Sequence, residues 1–298
     1  MRTKERIMSI KDTFFSKKST INCRGKLVDL SEPKVMGVLN ITPDSFYDGG
    51  KHDSIDKIKQ QTKKMIEEGA DFIDVGGYSS RPGAENIKTE EEEKRLFPVL
   101  EMIRKNYPDV IISVDTFRHS IAEKVVKNFE VDMINDISAG EMDEKMFETV
   151  ADLKVPYIIM HMKGTPQNMK EMNQYDDMMS EIIYYFSEKY ARLKKMGVPD
   201  IIIDPGFGFA KDIKQNFELL KNLDSFKVFE LPMLVGLSRK SMIYKSLGTT
   251  PDEALTGTIG LNMLALEKGA DVLRVHDVKQ AKETIQLFQN YSKSETVN

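Results

Sequence analysis

Polar or ionisable residues stand at the C-terminal end of each of eight short apolar segments in this 298-residue chain. Burying such a group costs several kcal/mol unless partners satisfy it. A single case fits a residue that only caps its own loop, and that alternative stays open for each residue taken alone. Repetition at the same end of every segment is typical of the active site of a parallel β-barrel. The residues are Asn40, Asp74, Asp115, Asn135, Asp136, His161, Asp204, Ser238, Arg274 and His276.

Three of these residues offer hydrogen-bond acceptors to a ligand. Asp115 and Asp204 are carboxylates, and Asn135 is an amide that can also donate. Such a set suits a flat heterocycle that carries amino, ring N–H and carbonyl groups. Ordinary core packing is the alternative for the apolar side chains nearby, and it is the favoured reading of Ile137. The candidates for the faces of such a ring are Ile137, Met160 and Phe209.

A second set of residues is cationic. Arg274 and His276 are two residues apart, so on a strand both side chains point to the same face. Arg81 lies in the glycine-flanked loop 76–83. Lys240 lies at the start of a predicted helix, where backbone N–H groups favour anions. Together they predict an anion pocket, with a solvated charged surface as the alternative that is favoured for Arg239.

The remaining signals favour electrostatic over covalent catalysis. Asn40 and Asp44 carry hard oxygen atoms that could hold Mg²⁺ beside a phosphate. The glycine loop 206–208 lacks the pattern of a Walker phosphate-binding loop. No Ser-His-Asp order or Cys/His cluster is evident. A structural role is as strongly indicated for His161 as a chemical one.

The elements that must position these residues alternate between strand and helix. Continuous apolarity predicts parallel strands buried on both faces, and amphipathic segments separate them. Eight repeats of this alternation predict an α/β fold, a closed (β/α)8 barrel of the TIM type. An open doubly wound sheet is the alternative, but no GxGxxG follows the first strand. The predicted strands are 35–41, 71–75, 110–115, 132–137, 157–162, 201–204, 232–237 and 271–276.

The two ends of the chain fall outside this alternation. Residues 1–34 are predicted to be an N-terminal extension, in which 21–30 form a hairpin that caps the barrel floor. Residues 35–291 are predicted to form the barrel. Residues 292–298 are predicted to be a disordered tail.

Composition narrows the functional class. The formal net charge is −4, so the basic surplus of a nucleic-acid-binding protein is missing. The sequence has no apolar run typical of a signal peptide or of a membrane span. Its single cysteine, Cys23, excludes an intrachain disulfide and predicts packing rather than catalysis. We therefore expect a cytoplasmic enzyme that acts on small molecules.

Seven colinear motifs resemble those of the dihydropteroate synthase family, and the first two also resemble the wider family of pterin-binding barrels. They span residues 36–277, which is most of the chain. Two residues depart from the family pattern. Tyr78 stands where many relatives have Glu, and Ser80 stands where they usually have Thr. The motifs are 36–46 (MGVLNITPDSF), 74–84 (DVGGYSSRPGA), 113–116 (SVDT), 135–138 (NDIS), 204–209 (DPGFGF), 236–241 (GLSRKS) and 274–277 (RVHD).

The resemblance implies a reaction and a set of roles. In that reaction 6-hydroxymethyl-7,8-dihydropterin diphosphate joins 4-aminobenzoate and releases pyrophosphate. Loops 42–50 and 76–86 are expected to close over the substrates. The implied catalytic residues are Asp115, Lys240, Arg274 and His276. The implied pterin-binding residues are Asp115, Asn135, Ile137, Met160, Asp204, Phe209 and Lys240. The diphosphate is expected to contact Asn40, Ser80, Arg81, Arg274 and His276, and Mg²⁺ to contact Asn40 and Asp44. The implied aminobenzoate-binding residues are Ser80, Pro82, Phe209, Lys240 and Ser241.

Two other functions share parts of this pattern. One is the methyltetrahydrofolate-binding barrel of a corrinoid methyl-transfer system, which needs no diphosphate site. The other is a catalytically silent paralogue that serves as a partner subunit. The resemblance also implies a homodimer through the helix predicted at 252–268, where Ala254, Gly257 and Gly260 are small. Packing within one chain explains those small residues equally well.

Overall fold

A computed structural model of the chain describes residues 17–41, 50–79, 83 and 86–294. Its first element is an antiparallel hairpin, β1 (Thr20–Cys23) and β2 (Lys26–Asp29). Arg24 and Gly25 form the turn with φ values of 52° and 84°. Two successive left-handed residues match the twist of a two-residue hairpin turn. The predicted hairpin is therefore confirmed.

Eight parallel strands follow and alternate with helices, as predicted. Their backbones pair in the order β8-β7-β6-β5-β4-β3-β10-β9. A parallel bridge between Ile203 and Met233 joins β8 to the segment that enters β9. The sheet therefore closes on itself, which confirms the (β/α)8 barrel and excludes the open sheet. The strands are β3 (Lys34–Asn40), β4 (Phe72–Gly76), β5 (Ile111–Asp115), β6 (Met133–Asp136), β7 (Tyr157–Met160), β8 (Ile201–Asp204), β9 (Leu234–Val235) and β10 (Val272–Val275).

The helices form the outer ring. Short 3-10 segments at Leu223–Phe229 and Pro251–Glu253 precede β9 and the eighth helix. The α-helices among the described residues are α1 (Gly50–Glu67), α2 (Thr89–Asn106), α3 (His119–Phe129), α4 (Met146–Leu153), α5 (Met178–Lys195), α6 (Ile213–Lys221), α7 (Ser241–Leu247), α8 (Leu255–Glu267) and α9 (Val278–Lys293).

The hairpin closes the bottom of the barrel. One apolar residue from the N-terminal part of each barrel strand meets the hairpin's buried side chains in a single cluster. Alternate residues of a strand point inward, so this cluster is the lowest interior layer. The hairpin contributes Ile21, Cys23, Val28 and Leu30 to it. The strands contribute Met36, Phe72, Ile111, Met133, Ile158, Ile202, Leu234 and Val272.

Aspartates tie neighbouring elements together at this lower end. Each lies just before a strand and accepts a hydrogen bond from the backbone N–H of an adjacent element. Asp71 bonds Val35, Asp132 bonds Ile112, and Asp271 bonds Met233, at 2.7 to 2.8 Å. Asp200 bonds the hairpin residue Asn22 at 2.9 Å. The lower face is thus built for stability, and the opposite face remains for chemistry.

The end of the last helix differs from the prediction. Helix α9 includes Ser292 and Lys293, which the prediction assigned to the tail. Residues 295–298 of that tail, and residues 1–16 of the extension, lie outside the described part of the chain. The described residues contain no helix long and apolar enough to cross a membrane.

Candidate active site

The interior layer above the floor is largely polar. It lies two residues farther along each strand than the apolar floor, so its side chains point to the same side of the barrel wall. Most of these residues are buried. Polar groups in such a place need partners or a ligand. The layer consists of Val38, Asp74, Ser113, Asn135, Met160, Asp204, Gly236 and Arg274.

Arg274 crosses this layer and joins two carboxylates. Its Nε donates to Asp74 Oδ2 at 2.7 Å, and its Nη2 donates to Asp115 Oδ2 at 2.9 Å. Asn135 Nδ2 also donates to Asp74 Oδ2, at 3.0 Å. Burial alone lowers the pKa of Arg274, but Asp74 and Asp115 raise it above its ordinary value. Arg274 is therefore a fixed cation whose Nη1 has no hydrogen bond to a described residue.

The two predicted carboxylate acceptors resist ionisation. Burial raises the pKa of Asp115 to about 7, against the opposing effect of Arg274. Burial also raises the pKa of Asp204, and the nearby Lys240 opposes that effect. Asp204 Oδ1 accepts the backbone N–H of Gly206 at 2.8 Å. Both carboxylates thus lie in a low-dielectric environment where a hydrogen bond from a ligand is strong.

Lys240 enters the site from the residue before α7. Its Nζ donates to the carbonyl oxygen of Phe207 and lies 4.9 Å from the centre of the Phe209 ring. Burial lowers the pKa of Lys240 to about 8, although Asp204 partly restores it. The ammonium group is thus placed between a carboxylate and an aromatic ring, where it can interact with both.

A cavity of about 630 Å³ opens above these residues at the C-terminal end of the barrel. Its volume is in the range of pockets that hold small ligands. His276 is exposed there, and its Nδ1 lies 3.0 Å from Ser238 Oγ. Predicted site residues that line the cavity are Asn40, Phe209, Lys240, Ser241, Arg274 and His276.

One wall of the mouth is apolar. Ile137 and Met160 belong to a buried cluster with the aromatic residues Tyr78 and Phe117, and Phe209 packs against it. The rings of Tyr78 and Phe117 meet edge to face at 5.2 Å. The Tyr78 hydroxyl accepts a hydrogen bond from Gln167 Nε2 at 2.9 Å. Tyr78, which departs from the family pattern, thus links the loops that follow β4 and β7.

The structure brings most of the predicted site residues to one mouth, and their ligand roles stay predictions. Ile137 and Met160 do lie at the mouth, but within the apolar cluster. Arg239 lines the cavity and forms an ion pair with Asp277 at 2.7 Å. Four predicted site residues lie outside the described part of the chain: Asp44, Ser80, Arg81 and Pro82.

Two strand-end residues have structural roles. Asp136 Oδ2 accepts the Tyr157 hydroxyl at 2.6 Å, and Asp136 Oδ1 accepts the Ser138 hydroxyl at 2.7 Å. The ring of His161 is buried and its Nδ1 lies 3.0 Å from Lys211 Nζ. Asp136 thus joins the loop after β6 to β7, and His161 contacts the loop after β8.

Sequence reasoning missed two residues of the site. Asp74 was one of several strand-end residues and received no role, but it holds both Arg274 and Asn135. The only signal in the sequence was that Asp74 lies two residues before Gly76 on the same strand, so that both point to the same side. Lys211 follows the glycine loop after β8 and is buried, as few lysines are. Nothing in the sequence distinguishes it from a surface lysine next to a helix cap.

The fold and the site together define an enzyme class. A model of the family described as "Pterin binding enzyme" matches residues 36–276. Those residues include every barrel strand except the first two residues of β3. The barrel is therefore that of a pterin-binding enzyme.

Similar proteins narrow the class to one family. The chain is 42% identical over 268 residues to the dihydropteroate synthase of Escherichia coli K12, covering 89% of this chain and 94% of that protein. A Yersinia pestis dihydropteroate synthase in a sulfonamide drug complex is 37% identical, with a TM-score of 0.85 over 93% of this chain and all of the other. A Xanthomonas albilineans dihydropteroate synthase with 4-aminobenzoic acid is 35% identical, with a TM-score of 0.86 over 93% of this chain and 99% of the other. The chain belongs to the dihydropteroate synthase family.

Proposed function

We propose that this protein condenses 6-hydroxymethyl-7,8-dihydropterin diphosphate with 4-aminobenzoate to give 7,8-dihydropteroate and pyrophosphate, a step of folate biosynthesis. The observation that carries the proposal is the barrel mouth itself. Buried acceptors and the fixed cation Arg274 lie next to each other there, below a cavity of about 630 Å³. Membership of the family supports the same reaction.

The pterin ring is assigned to the deep part of the mouth. Asp115, Asn135 and Asp204 offer acceptors for amino and ring N–H groups, and Lys240 offers donors for ring nitrogen or carbonyl. Their burial leaves few competing waters, so each unsatisfied group favours a matching ligand. The faces of the ring are assigned to the apolar side chains of Ile137, Met160 and Phe209.

The diphosphate is assigned to the cationic rim. Arg274, His276 and Asn40 line the cavity on the adjacent strands β3 and β10, and Arg274 Nη1 has no hydrogen bond to a described residue. Ser80 and Arg81, from the loop after β4, complete this set in our proposal. Cations around a leaving group stabilise the charge that develops on its oxygen.

Mg²⁺ is assigned next to the diphosphate. Asn40 is exposed at the end of β3 and so offers one hard oxygen in the cavity. Mg²⁺ in phosphate sites commonly uses one or two protein oxygens together with substrate oxygens. We therefore propose Asn40 and Asp44 as its protein ligands. The ion would neutralise charge on the departing pyrophosphate.

The proposed reaction breaks a C–O bond before it completes a C–N bond. The pyrophosphate leaves with the bonding electron pair, and electron release from the dihydropterin ring supports the cation at its CH₂ carbon. Asp115 stabilises that cation electrostatically and does not attack it. The amine of 4-aminobenzoate then bonds the carbon and loses a proton to solvent.

The aminobenzoate is assigned to the outer part of the mouth. Phe209 and Lys240 are shared with the pterin site, so the two substrates would meet there. Ser241 is the first residue of α7 and lines the cavity. Ser80 and Pro82 complete this set in our proposal.

The test separates three functions. The purified protein is incubated with the pterin diphosphate, 4-aminobenzoate and Mg²⁺, and dihydropteroate and pyrophosphate are measured. We expect both products in equal amounts. Pterin binding without product would indicate a binding module, and neither binding nor product would indicate a silent paralogue. Either of those results overturns the proposal.

We also propose that the protein is a cytoplasmic homodimer. The single cysteine supports the cytoplasm, because a chain without an intrachain disulfide is typical of a reducing compartment, and Cys23 is a free thiol buried in the barrel floor. Apolar side chains exposed on α8 and α9 support the dimer, with Leu264 and Leu287 more than half exposed. Exposed apolar surface of this kind is typical of a subunit interface.

A further inference from the structure

The loop after β8 is held in place almost entirely by side chains. Residues 205–212 have no regular backbone pairing. Lys211 Nζ donates to the carbonyl oxygens of Gly206 and Phe209, both at 3.0 Å. Tyr175 donates its hydroxyl to Ala210 O at 2.9 Å. Since Lys240 holds the carbonyl of Phe207, three side chains together bond four of the carbonyl oxygens in this loop.

Lys211 has a third partner that completes its hydrogen bonding. His161 Nδ1 lies 3.0 Å from its Nζ. Burial first, and then Lys211 and Lys163, lower the pKa of His161 well below its ordinary value, so the ring is neutral and can accept at Nδ1. An ammonium group has three N–H donors, and here it meets three acceptors. Lys211 is only 8% exposed, so water replaces none of these bonds easily.

The loop conformation needs such a restraint. Gly206 and Ala210 both adopt left-handed backbone conformations, with φ values of 73° and 48°. A side chain on Gly206 would collide with the carbonyl oxygen of His161. A left-handed alanine costs about 1–2 kcal/mol. Conformations of this kind persist only where the surroundings determine them.

The loop presents two proposed ligand-binding groups. Phe209 is part of it, and Lys240 is bonded to it through Phe207. The side chain of Lys240 also packs closely on the loop, since a Cβ atom at Gly208 would lie 3.2 Å from Lys240 Cδ. A shift of the loop therefore moves both groups. The charge of Lys211 also acts on a third proposed ligand-binding residue, Asp204. Burial raises the pKa of Asp204, and Lys240 and Lys211 both oppose that effect.

We propose that Lys211 is a positioning residue for the pterin site: its ammonium group fixes the loop 206–211 and thereby sets the places of Phe209 and Lys240. Lys211 does not line the cavity, so it acts through these residues and not by touching substrate. The inference rests on the proposed function for the identity of the ligand. The geometry of the loop does not depend on that identity.

The first test replaces Lys211 by Met, which keeps the length of the side chain and removes its donors. We expect the Kd for 6-hydroxymethyl-7,8-dihydropterin diphosphate to rise about 10- to 100-fold, because misplaced contact groups lose binding on this scale. Amide hydrogen exchange across 206–211 should become faster. The matched control is Lys214→Met, at an exposed lysine on α6, which should change neither. Unchanged Kd and exchange in Lys211→Met overturn the inference.

The second test uses pH and separates charge from packing. Burial lowers the pKa of Lys211 to about 7, so the wild-type protein itself loses this ammonium as the pH rises. We expect the ratio of the Kd of Lys211→Met to that of wild type to be largest at pH 6 and to shrink towards pH 9. Lys240, Lys163, Asp204 and His161, which also face Lys211, are present in both proteins, so the ratio removes the part of their titration that does not depend on the charge of Lys211. A ratio that does not change with pH contradicts the inference.

A third comparison covers the case in which Lys211→Met does not fold. His161→Asn places an acceptor oxygen near the position of Nδ1, whereas His161→Leu removes the acceptor. We expect Asn to preserve pterin affinity within about threefold of wild type and Leu to lose about tenfold. Equal losses in both variants overturn the role of the Lys211 contact. If wild type makes no dihydropteroate, the proposed function fails while the exchange results still decide the inference.

Discussion

Arg274 has two of its three guanidinium nitrogens bonded to carboxylates, and this determines what the third can do. Asp74 and Asp115 fix the plane of the guanidinium at 2.7 and 2.9 Å. In the proposed reaction, the group therefore needs no reorganisation to stabilise the charge that develops on the leaving oxygen. Asp74 is a positioning residue in this arrangement, because it aligns Arg274 and Asn135 without lining the cavity.

We expect Arg274→Ala to lower kcat by about 10²–10³-fold, because the variant loses the cation that stabilises charge on the leaving oxygen. The variant should also lose about 3–5 kcal/mol of stability, because it leaves Asp74 and Asp115 buried without their cation. Arg274→Lys keeps the charge but cannot span both carboxylates, so kcat should fall with a smaller loss of stability. Steady-state kinetics and urea unfolding measure the two effects.

The control for this prediction is Lys195→Ala, at an exposed lysine on α5. We expect its kcat and stability to match those of wild type. Turnover by Arg274→Ala close to that of wild type would remove Arg274 from the reaction.

The sequence was sufficient to predict residues whose position follows from strand parity. Asp115, Asn135 and Asp204 end apolar runs, and closure of the barrel alone brings them together. Lys211 could not be predicted, because its burial depends on where the loop after β8 folds back onto His161. That contact joins residues 50 positions apart, and no local pattern encodes it.

At the scale of elements, the strands were predictable because burial on both faces leaves continuous apolar runs. The ends of the strands were less predictable from the sequence. The predicted strand 232–237 is only Leu234–Val235 in the structure. Pro232 has no N–H for a ladder bond, which accounts for its exclusion. Helix α2 begins at Thr89, and its cap position falls on Lys88, which makes no side-chain bond to the helix.

The hairpin that closes the floor shows how an element outside the barrel repeat stabilises it. Ile21 is 1% exposed within the lowest layer, whereas Leu27 on the same hairpin is 71% exposed. We expect Ile21→Ala to lower the free energy of unfolding by about 2–5 kcal/mol, because it leaves a cavity among the floor residues. Leu27→Ala should change it by less than about 0.5 kcal/mol. Urea unfolding measures both values.

The Ile21→Ala variant also tests whether packing in the barrel floor affects catalysis at the mouth. The polar layer separates Ile21 from the cavity. We therefore expect kcat of Ile21→Ala to stay within about twofold of wild type below its melting temperature. A large loss of kcat without a loss of stability would show that the floor is coupled to the chemistry.

For the whole molecule, the barrel buries nearly all residues of its strands but leaves exposed apolar side chains on one side of its helical ring. Helix α8 is apolar on nearly all sides, and a helix of that kind is normally buried. Within one chain only part of it is covered: Thr258, Asn262, Ala265 and Leu266 are buried. The outward stripe of Ile259, Gly260 and Leu264 continues onto Leu287 and Tyr291 of α9. Covering this stripe requires another surface of similar character, and a second copy of the chain has one.

A stripe shared by two neighbouring helices supports a two-fold interface, in which the same patch serves both subunits. We expect the wild-type protein to be a dimer by light scattering, and the double variant Leu264→Glu, Leu287→Glu to be a monomer, because four carboxylates would meet in one apolar contact. Tyr184→Glu on α5, which is 65% exposed but three strands away around the ring, is the matched control and should leave the dimer intact. A wild-type monomer, or a dimer that survives both charges, would place the contact elsewhere. Since the cavity opens at the strand ends and the stripe lies on the side of the ring, the monomeric variant should retain pterin binding even where its stability falls.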